Sequence, residues 1–419
     1  MSEWKEYKLS DFIEINPKVT LKSGSKNSFV EMKDLSESQK FVLPSQLKEI
    51  KGGARFQNFD TLFARITPCL QNGKICQVKG LKNSIGFGST EFLVFRGKEG
   101  ISNTDFVYYL SRYDVVRKFA EQNMIGTSGR QRVSKDAFEN IELLLPDLPT
   151  QTAIAEILSS LDDKIELNNK INQELETLAQ TLFKQWFIDF EFPNENGEPY
   201  KSSGGEMVDS ELGEIPKGWF VGKFGDLVNI INGYAFKSKD FNEFSTEGIL
   251  KIRNINGTIV DIVNTDFVTT EVINKLNNKF KIESGEILIA MTGAEVGKIG
   301  VVAKTYKSLW LNQRVGKIMP KNNMHISYIH TMFNVLNFTD VVRNEAMGSA
   351  QPNISSQGIE NIRCLMPEIN LIDEFSSLHN DKFSLFYYSL AENQELKKLR
   401  DTLLPKLISG ELEINETNN

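Results

Sequence analysis

NQELETLAQTL (172–182) and NQELKKLRDTL (393–403) are one helix written twice. Adding 221 to Asn172, Gln173, Glu174, Leu175, Leu178, Thr181 and Leu182 lands on Asn393, Gln394, Glu395, Leu396, Leu399, Thr402 and Leu403, seven identities in eleven positions. Leucines three and four apart place one apolar stripe along each copy. A polar-rich helix with a single stripe needs a partner, and its own repeat is the obvious one. The echo extends outward. GTSGRQRVSKDAFENIELLLP (126–146) aligns with GSAQPNISSQGIENIRCLMP (348–367) once a one-residue difference near the start is allowed, and from Ser134/Ser355 to Pro146/Pro367 the offset is again 221. EWKEYKLSDFIEI, from Glu3, matches GWFVGKFGDLVNI, from Gly218; LFARITPCLQNGKI, ending at Ile75, matches LIAMTGAEVGKI, ending at Ile299. Four blocks recurring in one order make a tandem duplication.

Each half begins as mixed strand and turn. Runs such as DTLFARI, TEFLVFR, EILIAM and GKIGVVA, bounded by Gly, Pro and Asn, suit strands. NTDFVYYLSRYDVVRKFAEQ, with Asp105 near its start, and its partner ISYIHTMFNVLNFTDVVRNEA have helical periodicity. A long helix follows Pro146, at roughly 150–187 with Thr150 as N-cap, and about 38 residues at ~1.5 Å each give a rod on the order of 55 Å. Ile154, Leu158, Leu161, Ile165, Leu175 and Leu182 form its seam, interrupted by Asn168 and Asn172. Those asparagines either are buried and fix register or face water. FEFPNENGEPYKSSGGEMVDSELGEIPKGW (190–219) is a linker by composition. The second helix, about 371–409, ends at Gly410, a natural C-cap. The expected division is a mixed domain at 1–149, a helix at 150–188, an acidic linker at 189–214, a second mixed domain at 215–370, a helix at 371–410 and a frayed tail at 411–419.

A chain of 419 residues has room for two or three substantial cores. Its net charge of −7 argues against nucleic acid only until it is mapped. Between Asp189 and Glu214 stand eight acids and one base, Lys201, so that segment carries the whole excess and the rest is neutral. Net charge therefore decides nothing. No apolar run approaches 18 residues, and MSEWKEYKLSDF is polar and acidic, so a cytoplasmic protein without a membrane span is expected. Cys69, Cys76 and Cys364 are too few for a disulfide framework and are expected to be reduced. His325, His330 and His379 make no metal-ligand pattern with them. A phosphate-binding Gly-x4-Gly-Lys-Ser/Thr loop, the Asn/Asp-Pro-Pro-aromatic signature of amino-methyltransferases and a dinucleotide glycine fingerprint are all missing. No enzyme site is legible.

A binding surface is. Gly126–Arg132 packs Thr127, Ser128, Arg130, Gln131 and Arg132 into a glycine-rich loop. Arg suits bidentate contact with guanine, Gln or Asn with adenine, and Ser or Thr can reach phosphate. The aligned loop keeps the small residues but carries Gln351 and Asn353 in place of arginines. Different donors at one position are what two related modules reading different bases would show, although a solvated connecting loop would look the same. Lys74 in NGKI and Lys298 in VGKI suit phosphate or plain solvent, and Arg65 stands between apolar neighbours where it could face a groove. Tyr234, Phe236, Lys237, Lys239 and Arg253 form an aromatic–basic mixture, which fits either a nucleic-acid face or a core. Asn312, Gln313 and Arg314 add a polar cluster.

Taken together, GTSGRQRVS and GSAQPNIS ahead of a strand ending in Pro, the LPTQTAIAEILSSLDDKIELNNKINQELETLAQTLFKQWF helix, the 190–219 linker and the repeated helix followed by LISGEL (407–412) resemble the DNA-specificity subunit of type I restriction–modification enzymes over essentially the whole chain. The second helix is more aromatic, SLHNDKFSLFYYSL against DDKIELNNK in the first. The resemblance implies an α+β fold: two mixed α/β target-recognition domains in tandem, each followed by a long helix, with the helices paired antiparallel as a coiled-coil spacer of pseudo-two-fold symmetry. It implies a non-catalytic reader of a split, asymmetric site on double-stranded DNA. Partners would be two modification subunits, which carry S-adenosylmethionine and methylate adenine, and motor–nuclease subunits, which use ATP and Mg2+. A spacer of this length fits modules about one turn of B-DNA, ~34 Å, apart. The candidate DNA contacts are Arg65, Lys74, Thr127, Ser128, Arg130, Gln131, Arg132, Tyr234, Lys237, Arg253, Lys298, Gln313, Arg314, Gln351 and Asn353. The rivals are a fused endonuclease–methyltransferase, for which no cofactor signature exists, and a helix-pair scaffold or inactive relative without sequence preference.

Overall fold

The apolar runs within DTLFARI and EILIAM become inner strands of matching sheets, buried at every position. The computed structural model describes residues 3–22, 24–127, 129–346 and 352–414. The chain divides into two compact units, Met1–Leu167 with Gln394–Asn419, and Asn168–Asn393. In the first, Thr61–Ala64 pairs antiparallel with Phe92–Gly97 and Ile75–Val78, with Ile13–Ile15 and Phe41–Val42 at the edges. In the second, Ile287–Ala290 pairs antiparallel with Val315–Pro320 and Ile299–Val301, and Val228–Asn232 adds an edge. Each unit holds another sheet around one parallel pair, Lys26–Val30 with Ile85–Gly88 and Glu247–Leu250 with Leu309–Leu311. Trp4–Lys8 pairs with Glu142–Pro146 as Phe220–Lys223 pairs with Arg363–Met366. Sequence repeat and topological repeat coincide.

The duplication reaches into buried electrostatics. Arg96 grips Asp60 through Nε and Nη2 at 2.6 and 2.7 Å, and Glu286, at the place matching Asp60, lies 2.9 Å from Lys317 Nζ, a cation from the matching strand that stands where the first unit has Val94. Burial raises the pKa of both carboxyls despite their cationic partners. The cation also donates outward at one of these sites, Lys317 to the Lys281 carbonyl at 2.9 Å.

The stretch of helical periodicity over 104–122 forms two helices, Thr104–Arg112 and Asp114–Gln122, broken at Tyr113, whose backbone is extended. The break turns Phe106, Tyr109, Val116 and Ala120 into one core. Asn103 caps the first by accepting from the Asp105 and Phe106 amides. The second unit breaks at the corresponding place, between Ile326–Val335 and Phe338–Ala346, but there through Asn337 at φ +46°.

The long helices are Leu148–Phe183 and Ile369–Ile408. Thr150 is not the first cap. Asp147 takes that role, with its carboxylate accepting from the Thr150 amide at 3.1 Å, because Leu148-Pro149 can itself begin a helix. Gly410 ends the second helix at φ +74°. Their pairing is antiparallel within each unit. In the first, Asp162 meets Arg400, and Ile154 and Leu158 share a core with Leu404, Leu407 and Ile408. In the second, Asn168 meets Asn393, Asn172 meets Ser389, and Phe183 meets Phe375.

Asn168 and Asn172 are buried. Asn168 Nδ2 donates to Asn393 Oδ1 at 2.9 Å and Glu392 Oε2 at 2.7 Å, Ser389 Oγ donates to Asn172 Oδ1 at 2.6 Å, and Asn393 Nδ2 donates to Asn169 Oδ1 at 2.9 Å. Since 221 separates Asn172 from Asn393 and Asn168 from Ser389, this layer is the pseudo-two-fold repeat of itself. Sliding either helix by one turn would leave these amides buried without partners, which is how a polar layer sets register.

The 190–219 segment is more than a tether. Phe192 stacks on Tyr200 and Trp219 with ring centres 4.5 and 5.5 Å apart, and Met207–Ser210 forms a hairpin with Gly213–Pro216. Val208 and Ile215 join the second unit's core.

The repeat departs further from symmetry at another buried place. In the first unit Arg400 Nη1 donates to Asp162 Oδ1 at 2.6 Å, and Tyr109 donates to Asp162 Oδ2 at 2.7 Å. Adding or subtracting 221 gives Ala179, Phe383 and His330 in the second unit. There Ala179, His330 and Phe386 border a cavity of about 30 Å3, with the Ser327 hydroxyl and His379 Nε2 lacking protein partners. Burial pushes His330 down to about 4. The unfolded chain, with an ordinary histidine near pH 6.5, therefore binds more protons between pH 6.5 and 4, so stability falls as pH falls through that window. A native-state loss of about 2–3 kcal/mol is expected. Glu176 borders the same cavity with its pKa raised by burial, a contribution lost in the opposite direction as pH rises. His330→Leu isolates its share: urea stability should lose the His330 part of the slope between pH 6.5 and 4, leaving that of His379, whose pKa burial also lowers, and an unchanged slope would place the titration elsewhere.

Candidate nucleic-acid interface

In the first unit, the strand Thr61–Ala64 runs out at Arg65, and the glycine-rich loop docks there. Met124–Ile125 and Arg132–Val133 form a short antiparallel ribbon whose tip is the loop. The Val133 amide donates to the Arg65 carbonyl, the Thr67 amide to the Gln131 carbonyl, and the Gln131 amide to Thr67 Oγ1, each at 3.0 Å. Gly126 is required: at φ +136°, a Cβ there would lie 2.8 Å from the Arg130 carbonyl oxygen. Arg65, Thr127, Arg130, Gln131 and Arg132 are thereby gathered at one strand end. Ser128 lies outside the described residues.

Their states differ. Arg130 is exposed, and no acid pairs with it among the described residues. Arg132 is held by Glu91, with Nε 2.9 Å from both carboxylate oxygens and Nη2 2.7 Å from Oε1. That contact raises the Arg132 pKa. Arg65 is half-buried, and its Nε has no protein partner. It borders an open groove of roughly 570 Å3 together with Lys18, Arg55 and Asn16. Lys74 turns away, its Nζ donating to the Met32 carbonyl at 3.3 Å.

The second unit repeats the scaffold with other side chains. The Ile354 amide donates to the Met291 carbonyl and the Gly293 amide to the Pro352 carbonyl, the counterparts of Val133–Arg65 and Thr67–Gln131. Ile66 bridges Arg132 in one unit, and Thr292 bridges Asn353 in the other. Gln313 donates its amide to the Tyr234 carbonyl at 2.8 Å, bringing Tyr234, Gln313, Arg314 and Asn353 together. Gln351 lies outside the described residues. Lys237 is exposed further along the Tyr234 loop. Phe236 is core, packed with Ile249, Val268 and Trp310. Arg253 belongs to a different sheet edge, where it and Lys251 share Asp266 at 2.6 and 2.5 Å, and Lys298 is paired with Glu295.

Lys18, Arg55 and Glu91 escape a sequence search. Each is a single charged residue among ordinary neighbours, and only the fold brings it to Arg65 or Arg132. Among the described residues no group of three or more His, Cys, Asp and Glu could hold a metal. Burial pushes the thiol of Cys76 up to about 11 and that of Cys364 up to about 12. No helix among the described residues is long and apolar enough to cross a membrane.

A duplicated α+β chain that displays exposed amide and guanidinium groups at two equivalent strand ends has the make-up of a recognition protein. The family model described as type I restriction modification DNA specificity domain matches residues 1–177 and 216–371, and the chain belongs to that family. It is a specificity subunit of the type I restriction–modification kind, which is non-catalytic. The specificity subunit of the Haemophilus influenzae type I restriction enzyme HindI is 25% identical, with 98% of this chain and 100% of that one covered. That of the Methanocaldococcus jannaschii enzyme MjaIX is 26% identical over 76% of this chain and 71% of its own. The crystal structure of a type I restriction–modification S subunit from M. genitalium has the same fold, with a TM-score of 0.54 at 15% identity over 99% of this chain and 97% of that one.

Proposed function

We propose that each unit reads one half of a split, asymmetric site on double-stranded DNA, so that partner subunits methylate adenine there or cut. The observation that carries this reading is one backbone scaffold bearing different readers: Arg132 with Glu91 at one strand end, Asn353 with Arg314 at the other. Arginine suits guanine and asparagine suits adenine, so unlike half-sites follow. Arg65, Thr127, Arg130, Gln131 and Arg132, with Ser128 beside them in sequence, serve the first half-site. Tyr234, Lys237, Gln313, Arg314 and Asn353, with Gln351, serve the second. Lys74, Arg253 and Lys298, already engaged with protein groups, are left with at most phosphate contacts.

The chemistry belongs to partners: two modification subunits holding S-adenosylmethionine, and motor–nuclease subunits using ATP and Mg2+. Flipping a base out of the duplex requires the duplex to be held in register, which is the reader's task. Exposed leucines on the long helices, Leu167 in the first unit and Leu178, Leu378 and Leu385 in the second, support docking of the modification subunits there.

The test is methylome sequencing of cells expressing this chain with its cognate modification subunit. The expected result is a split motif carrying N6-methyladenine on both strands. No new methylation from an assembled complex would favour the scaffold reading instead.

A further inference from the structure

Arg132 has five N–H donors, and three are spent inside the protein. Nε and one Nη2 hydrogen go to Glu91, and Nη1 donates to the Arg130 carbonyl at 3.2 Å. One N–H remains on each terminal nitrogen, the complement that a bidentate contact with guanine O6 and N7 consumes. Glu91 is itself fastened: its carbonyl accepts the Arg65 amide at 3.0 Å, and its amide donates to Ser89 Oγ at 3.1 Å. A long flexible cation is thus held by an acid whose main chain is fixed on both sides, which removes much of the rotamer entropy that binding would otherwise cost.

The second unit shows what the same station looks like without the acid. There the Met291 amide donates to the Arg314 carbonyl at 3.0 Å, the counterpart of Arg65 to Glu91, so Arg314 stands where Glu91 stands. Opposite it is Asn353, where the first unit has Arg132. Arg314 sits at φ +70°, a conformation unfavourable for a residue with a side chain, and it is exposed. Acid with arginine has become arginine with amide. An acid at 314 would have no guanidinium at 353 to hold.

We propose that Glu91 is a positioning residue for base recognition, holding Arg132 for guanine in the first half-site, and that its exchange for Arg314 is part of what makes the two half-sites differ. This rests on the split-site reading above and deepens it. Near DNA a carboxylate is otherwise a liability, because it repels phosphate; compensation through Arg132 is what the geometry supplies.

The experiment is methylome sequencing of cells carrying the full chain, with its modification subunit, as wild type, Glu91→Gln, Glu91→Ala and Arg132→Ala, with thermal midpoints of the purified complexes. Gln offers one acceptor oxygen in place of two and no charge. Both Glu91 variants should lower discrimination at one position of the first half-site by about 10-fold, at the position that Arg132→Ala relaxes. The second half-site and the midpoint should stay as in wild type. A motif unchanged in the Glu91 variants while Arg132→Ala relaxes it would overturn the positioning role alone. An unchanged motif in Arg132→Ala, or failure of both Glu91 variants to assemble, would overturn it as well, the latter by making Glu91 structural. No motif for the wild-type chain would instead sink the split-site reading.

Discussion

Asp162→Ala should cost the first unit about 3–5 kcal/mol, the loss typical of a buried charge deprived of its partner. Asp162 and Arg400 are each only 2% exposed, so water cannot replace the missing carboxylate. Burial alone would pull the Arg400 pKa down, yet Asp162 and Asp401 together more than compensate and the pKa ends raised; the guanidinium is therefore charged in the fold. Without Asp162 its remaining hydrogen-bond and ion-pair partners among the described residues are the Ser38 carbonyl at 3.0 Å and the exposed Asp401. Tyr109 would lose its acceptor too, and Lys397, whose pKa burial and the neighbouring Arg400 depress, would feel more positive charge. Urea unfolding followed by amide exchange within 154–165 isolates the effect, since two units need not unfold together. The double variant Asp162→Leu with Arg400→Met should recover most of the loss, because apolar groups of similar volume satisfy a core as well as an ion pair does. A single variant costing under 1 kcal/mol would mean that water enters the site.

How much of this is legible in the sequence follows from what each feature depends on. The 221 offset, the two helices and the order of strands rest on local periodicity and on a repeat, and both survive in one dimension. The asparagine layer was visible as an interruption in an apolar seam, but its burial depended on Ser389 and Asn393 arriving from the other helix. The Arg400–Asp162–Tyr109 network depended on three elements at once. In the sequence Arg400 is simply a polar residue beside Leu399. Side chains that look alike there also part ways in the fold. Arg253 is neutralised by Asp266 across a strand pair and Lys298 by Glu295, while Arg130 stays unpaired by acids among the described residues. The helix break at Tyr113 was hidden because both pieces share one apolar periodicity, and the cap moved from Thr150 to Asp147 because Pro149 accepts a first-turn position.

Arg130→Ala and Arg132→Ala should weaken recognition in different ways, and together by on the order of 100-fold or more at the first half-site. Arg132 is fixed by Glu91 with donors left over, so its loss should cost about 1–3 kcal/mol at one base position and relax preference there. Arg130 is exposed at the ribbon tip and unpaired by acids among the described residues, which suits a backbone contact. Its loss should weaken binding evenly across sequences and lower the slope of log affinity against log salt by about 1. Titrations of the wild-type motif and of single-base variants at two or more salt concentrations separate these outcomes. Neither substitution should alter preference in the second half-site, where the readers are other residues on another unit. Equal loss of discrimination in both halves would contradict the assignment of this loop to one of them. A base-specific loss from Arg130→Ala with none from Arg132→Ala would exchange their roles, and it would mean that Glu91 withholds Arg132 from DNA rather than presenting it.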